Sequence, residues 1–543
     1  NLILVKERLI SLKNRGLRRA DLPKSAMLIL GIFIYWKIVE AYAIRIGASY
    51  TDTAGFLELT NRSNILKPLQ SDYFRSAHGL GLMVSTAPEK ICGLLPQINL
   101  GSSSFFSIHP YLIAFPLSII SWLIPVNSAV LAANLLLMSV IGGMIALAVF
   151  MRKLDVSVIG ITIFILAILC YPVLSQSLLG QPYFDRLMFG PGVVLFLLLW
   201  WSKHRSLRVW KWICVDSLVL ALISERGAAL VVLLAVGYLI LLHGRQVLLK
   251  YELRMILATG TSVLLYLYMW QTRWQNYSAY SGMSFRSLIG EFRSIFQLPI
   301  GEMNQVFYLT SIVFVVAALF AGRGLLIVFI SFLPNLLFTV GGAELTGFLT
   351  HYHQTYLPVV VAAAAVGMCR ITNIAVFGHQ RLSKTIVAVL VGACIFFGQA
   401  MVNSIHFISA GQPDLYMSAR SVWVPFTNDF KDANAGSRSR RDQLKEIADL
   451  VKSLSPSAVS APEDLMPALF LGGMRDVEYW PVGVGKASVV VAPFRDGVPV
   501  VSPYGHAQSS IPNLELCVGQ MLDTEYTLVS TLGNDVRIYL KNG

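Results

Sequence analysis

His109–Pro125, "HPYLIAFPLSIISWLIP", is the stretch on which the layout of the whole chain turns. It is apolar enough to pass for a membrane span, and counting it as one inverts the sidedness of everything that follows. The loops "RKLD" (152–155) and "SKHRSLRVWKW" (202–212) would then lie outside, whereas Lys and Arg collect on the inner side of a membrane. The stretch therefore reads as a helix lying in the outer interface. Residues 48–126 become one outer segment, too long for a simple connection and so a place for function.

Composition sets the class. The 543 residues are 55% hydrophobic and 13% charged, with a mean hydropathy of +0.63, which predicts a mostly α, polytopic membrane protein rather than a soluble enzyme. Apolar runs long enough to span, or nearly so, lie at 27–47, 127–151, 156–174, 187–201, 211–224, 227–242, 254–270, 305–321, 324–341, 354–368 and 385–408, eleven in all. The inner segments they define hold 20 Lys and Arg, against 5 in the short outer loops between the later spans. The expected orientation is N-terminus cytoplasmic and C-terminus extracytoplasmic, in the cytoplasmic (inner) membrane. The formal charge of +13 comes from these short loops, so it marks orientation and not nucleic-acid binding. The basic start, 1–26, has no signal-peptide pattern, so the run after it reads as a retained anchor.

The character changes near residue 410. Residues 438–454 read as an amphipathic helix, followed by the strand-like pieces "SAVSA", "DVEYWP", "ASVVVAP", "YTLVST" and "VRIYL". The expected organisation is a cytoplasmic N-terminus (1–26), a transmembrane domain (27–409) with its long first outer loop (48–126), and a small extracytoplasmic α/β domain (410–543). The six cysteines show no CxxC spacing, and only Cys92 and Cys517 fall in segments placed outside, where a disulfide between them can form.

Three stretches carry a family likeness: "HPYLIAFPLSII" (109–120), "ISERGAALVVLLAVGYLIL" (223–241) and "SAVSAPEDLMPALFLGGMRDVEYWPVGVGKASVVVAP" (457–493). Together with the order of parts, they make the chain resemble the C-type (GT-C) superfamily of lipid-dependent glycosyltransferases. Within it the chain looks most like the bacterial and archaeal membrane family catalogued as domain of unknown function 2079. It departs from that family's pattern at Glu225-Arg226-Gly227, where a Lys-Glu-Asp-like run is usual, and at Pro467-Ala468-Leu469, where Pro-His-Leu is usual.

The resemblance implies transfer of a sugar from a polyprenyl-phosphate donor to an extracytoplasmic glycan, lipid or protein, with an acidic residue of the first outer loop as base. Asp52, in "SYTDTAGFLELTNRS" (49–63), sits where that base belongs, because the acceptor hydroxyl must lose a proton as the anomeric carbon is attacked. An Asx-turn between Thr51 and Thr53 is the structural alternative. Glu58 is the second catalytic candidate. On a continuous helix it would face away from Asp52, so the two pair only if the chain bends at Gly55; otherwise Glu58 is solvated or paired with Arg62.

Arg226, with Glu225 at the same outer turn, is the candidate holder of the carrier phosphate, since a guanidinium matches phosphate in bidentate fashion. A salt bridge within the loops is the alternative. Asp185 and Arg186 in "QPYFDRLMFG" (181–190), and His351, Tyr352 and His353 in "THYHQTYLP" (350–358), complete the substrate-binding candidates. Interfacial aromatic and His residues also serve simply as anchors. Lys37 and Glu40 read as neutralising each other within the first span. The sequence lacks Asp-x-Asp, so it requires no metal or other cofactor, although one carboxylate with water and phosphate can hold a divalent cation. Residues 271–305 fit sugar stacking and a membrane-surface segment equally.

The expected partners are membrane lipid, the lipid-linked donor and a possible membrane protein, with no nucleic acid. The rival reading is a non-catalytic GT-C-like scaffold or subunit of a larger complex, suggested by the few carboxylates at the outer face. A secondary transporter fits less well, because the two halves show no paired broken helices.

Overall fold

In the computed structural model the described residues are 55, 58–59, 71–86, 91–95, 111–123, 128–169, 184–202, 207–238, 313–322, 324–337, 355–374, 385–397, 442–501, 512–532 and 535–543. Among them, the apolar runs form helices and the β-branched stretches near the C-terminus form a sheet. The segment 48–126 supplies α1 (Asp72–Thr86), the short α2 (Ile91–Leu94) and α3 (Ala114–Leu123). The decisive stretch 109–125 thus contains a helix of 10 residues. At 1.5 Å per residue that is about 15 Å, half of a bilayer's hydrocarbon core.

A helix bundle follows: α4 (Ser128–Lys153), α5 (Val158–Leu169), a 3-10 turn (Phe184–Met188), α6 (Phe189–Ser202), α7 (Leu207–Ile223), α8 (Glu225–Gly237), α9 (Gly324–Leu337), α10 (Leu357–Ile374) and α11 (Thr385–Phe397). These eight helices lie on eight of the eleven apolar runs. The runs 27–47 and 254–270 fall outside the described residues, and 305–321 is described only from 313, where it is helical. Between them, α6 packs on α4, α7 and α10, α8 on α7 and α9, and α9 on α10.

Small residues let these helices close on one another. A Cβ on Gly190 would sit 2.1 Å from the Ser139 carbonyl oxygen of α4. The Ser139 hydroxyl accepts from the Gly190 N–H at 2.9 Å and donates to the Leu187 carbonyl at 2.7 Å, which satisfies the backbone where the 3-10 turn passes into α6. Along α10, Leu357 to Cys369 is buried throughout, with Ala362–Ala365 keeping the neighbours close. Backbone approach at small residues is how helices associate where lipid removes the hydrophobic drive.

The outward faces carry large apolar side chains, among them Met138, Ile145, Leu166, Trp212, Leu218, Phe329 and Leu390. Among the described residues one helical run, Phe184–Trp201, is long and apolar enough by itself to cross a membrane, and 67% of it is buried. α4 has 26 residues and no ionisable side chain before Arg152.

The C-terminal domain runs β1 (Val459–Ala461), α12 (Met466–Leu471), β2 (Val477–Tyr479), β3 (Val489–Arg495), β4 (Val498–Pro499), α13 (Pro512–Glu525), β5 (Tyr526–Leu532) and β6 (Val536–Lys541). The sheet order is β2-β1-β3-β6-β5, with β4 on the end of β3. β1 pairs in parallel with β2 and β3, while β3, β6 and β5 are antiparallel. Val489–Ala492 of β3 is fully buried, as a strand covered on both faces must be. The helix over 442–453 buries Leu444, Ile447, Ala448 and Val451, one helical face, and exposes most of the remainder.

α1 and α2 pack on this domain. Arg75 of α1 pairs with Glu478 of β2 at 2.8 Å, the Tyr73 hydroxyl donates to Glu463, and the Tyr479 N–H donates to the Ser76 hydroxyl at 2.9 Å. Past α2, the Leu95 carbonyl accepts from the Gly483 N–H at 3.1 Å. A disulfide joins Cys92 of α2 to Cys517 of α13, with Cα atoms 6.2 Å apart.

Glu58 requires a correction. Of the two expectations, solvation fails: Glu58 is 1% exposed, and its carboxylate accepts from the Ser71 hydroxyl (2.7 Å) and from the Asp72 (3.0 Å) and Tyr73 (3.1 Å) N–H groups, while Arg62 lies outside the described residues. These donors are the start of α1, whose first N–H groups have no partner inside the helix. A buried anion at that helix end is stabilised by them and by the helix dipole. Glu58 therefore positions α1.

Candidate functional site

The 3-10 turn Phe184–Met188 carries Asp185 and Arg186, two of the residues singled out above. Both are 1% exposed, and Arg186 is the largest fully buried side chain among the described residues. Tyr111, from the stretch 109–125, donates its hydroxyl to Asp185 Oδ2 at 3.0 Å, and its ring meets Phe184 edge-on with centroids 5.4 Å apart. Nearby, the Ile113 N–H donates to the Leu222 carbonyl at 2.7 Å, so the start of the described stretch 111–123 is pinned to the end of α7.

Ser224 makes the sharp connection from α7 into α8. In extended conformation it caps α8, accepting from the Gly227 N–H at 3.3 Å, and its hydroxyl lies 3.6 Å from Met188 Sδ. Gly227 is required there, since a Cβ would come within 2.0 Å of the Leu220 carbonyl oxygen. Glu225 and Arg226 open α8 directly beside the 3-10 turn, which α8 contacts. Arg226 is partly exposed.

The start of α10 lies at the same end, because Gly192 of α6 faces Pro358, whose ring carbon would be 2.7 Å from a Cβ there. Just before it, Thr355 and Tyr356 are buried. Asp185, Arg186, Glu225, Arg226 and the entry to α10 are thus brought to one end of the bundle, with Tyr111 among them. Asp52, His351, Tyr352 and His353 lie outside the described residues, and Glu58 sits apart in the cap of α1.

Three residues escape a reading by local pattern. Tyr111 resembles any interfacial aromatic until its partner is known. Ser224 signals itself only as Ser before Glu-Arg-Gly, an N-cap pattern. Asp216, midway along α7, is submerged in a high average hydropathy; its Oδ2 and the neighbouring Ser217 hydroxyl are buried without a hydrogen-bond partner among the described residues.

Chemically the cluster can hold an anion beside Arg226 and fix the Tyr111 stretch on the bundle end. Among the described residues no group of three or more His, Cys, Asp or Glu is arranged to hold a metal ion.

No protein-family model matches this chain, and no curated protein matches it significantly.

Proposed function

We propose that the chain is a polytopic membrane glycosyltransferase of the GT-C type, moving a sugar from a polyprenyl-phosphate donor to an extracytoplasmic acceptor. The observation that carries this reading is the convergence of the turns at Tyr111, Asp185-Arg186, Ser224-Arg226 and Thr355-Pro358 on one end of the bundle. Arg226 holds the donor phosphate there. Asp52 takes the acceptor proton, and Tyr111, through Asp185, anchors the outer loop at the mouth. His351, Tyr352 and His353 directly precede the buried start of α10 in the sequence, which makes them candidates for the same mouth.

Two further observations support a membrane setting. Large apolar side chains stand exposed around the bundle, which in water would be an aggregation surface. The docking of α1 on the C-terminal domain also keeps those two parts on one side, so the chain between them crosses an even number of times. The ten runs from 127 to 408 satisfy this, whereas adding α3 as an eleventh does not. In this topology the N-terminus is cytoplasmic and the C-terminal domain extracytoplasmic, where a Cys92–Cys517 disulfide persists.

Sugar transfer from a purified lipid-linked donor tests the proposal. Asp52→Asn and Arg226→Ala should each lower the rate at least about 100-fold in correctly folded protein, the range of one general base or one charge-stabilising contact. Unchanged transfer in both sinks it.

A second reading, a non-catalytic scaffold, is favoured by the burial of Asp185 and Arg186, whose charges then serve the fold alone. It predicts a fixed-stoichiometry membrane partner and no transfer by the wild-type chain.

A further inference from the structure

At the end of the bundle away from the candidate site, two cations lie on two consecutive tryptophans. Lys153 Nζ, at the last residue of α4, is 4.0 Å from the centre of the Trp201 ring. The Arg370 guanidinium, near the end of α10, is 5.0 Å from that of Trp200. Arg370 also donates to the Ala321 carbonyl at 2.9 Å, which ties α10 to the turn before α9. Arg152, Lys153 and Arg370 are all exposed. Among the described residues none of the three has a carboxylate partner.

We infer that this end binds the phosphate headgroup of an anionic phospholipid of the phosphatidylglycerol or cardiolipin type. A ring face fixes each cation in place while leaving its other side open, and tryptophan settles at the depth of lipid headgroups. Arg370 spends one donor on Ala321 and keeps others of its five for a phosphate. Among the described residues, three positive charges without a carboxylate partner stand at the ends of α4 and α10, outnumbering the one nearby carboxylate in sequence, Asp155, and the complementary molecule at that depth is a lipid anion. The inference rests on the membrane-embedded reading of the bundle and is independent of sugar transfer.

The test is quenching of Trp201 fluorescence in the full chain reconstituted in vesicles. Phosphatidylcholine forms the bulk, with a minor fraction of brominated-chain phosphatidylglycerol or brominated-chain phosphatidylcholine. The Trp201 signal is the difference between wild type and Trp201→Phe. Brominated phosphatidylglycerol should quench it in clear preference to brominated phosphatidylcholine. Lys153→Gln and Arg370→Gln should each reduce that preference about fivefold, the worth of one basic residue at an anionic surface.

Equal quenching by the two lipids overturns the headgroup site while leaving the membrane reading intact. Quenching by neither overturns both. Loss of the preference on adding inorganic phosphate at matched ionic strength assigns the cations to free phosphate and also overturns the inference.

Discussion

Arg75 and Glu478 stand 403 positions apart in the sequence and 2.8 Å apart in the fold. Each side chain is 17% exposed, so the pair is shielded enough to be worth more than a surface salt bridge. Arg75→Ala should loosen α1 from β2 by about 1–2 kcal/mol. Hydrogen exchange over 72–86 should accelerate while that of β3 stays as it was. Glu478→Ala should do the same, and the double variant should cost little more than either single change.

The Cys92–Cys517 disulfide makes a prediction about sidedness. In intact cells, a membrane-impermeant maleimide should label these cysteines only after reduction, and from outside. A proteolytic cut between α11 and the helix over 442–453 should leave the two fragments joined on a non-reducing gel. Labelling that requires cell lysis would place the domain on the other side.

Glu58 tests the difference between a positioning and a chemical carboxylate. Glu58→Ala removes the acceptor for three hydrogen bonds at the start of α1 and should destabilise that helix's docking by about 1–3 kcal/mol. Calorimetric unfolding should register the loss. If transfer in Glu58→Gln fell as far as in Asp52→Asn while stability held, Glu58 would be a catalytic residue instead.

Tyr526 supplies a pH dependence. Burial raises its pKa most, the hydrogen bond from the Gly485 N–H lowers it, and Glu525 raises it again, with a net shift upward. The folded state then holds the phenol proton at a pH where the unfolded chain has lost it, so stability falls as pH rises through the ordinary tyrosine range, about 10. Tyr526→Phe should flatten that fall in a denaturant series, at the cost of the hydroxyl's bond to the Ala487 carbonyl.

What the sequence made legible is what local pattern controls. The β-branched runs form β1, β2, β3, β5 and β6, and the helix over 442–453 follows from apolar residues recurring on one face. Long-range partners were not legible. The spacing rules that relate Glu58 to Arg62 see only a few residues, so they could not show the donors at Ser71, Asp72 and Tyr73 that bury the Glu58 carboxylate. The packing of α1 on β2 has no local signature at all, since its ion pair joins one Arg to one Glu among many. Asp185 and Arg186 read as substrate-binding candidates at a turn, with nothing in the local pattern to show their burial, which follows from the 3-10 turn being covered by α4, α6, α7 and α8 together.

In the proposed function, the bundle end at Tyr111, Asp185 and Arg226 receives a lipid-linked sugar. The most direct measurement is an experimental structure of the protein in lipid with a polyprenyl-phosphate analogue. The account predicts elongated density entering between the helices, with its phosphate against Arg226 and its head facing the loop that carries Asp52. A bundle end filled by side chains, with the analogue elsewhere or absent, would contradict it.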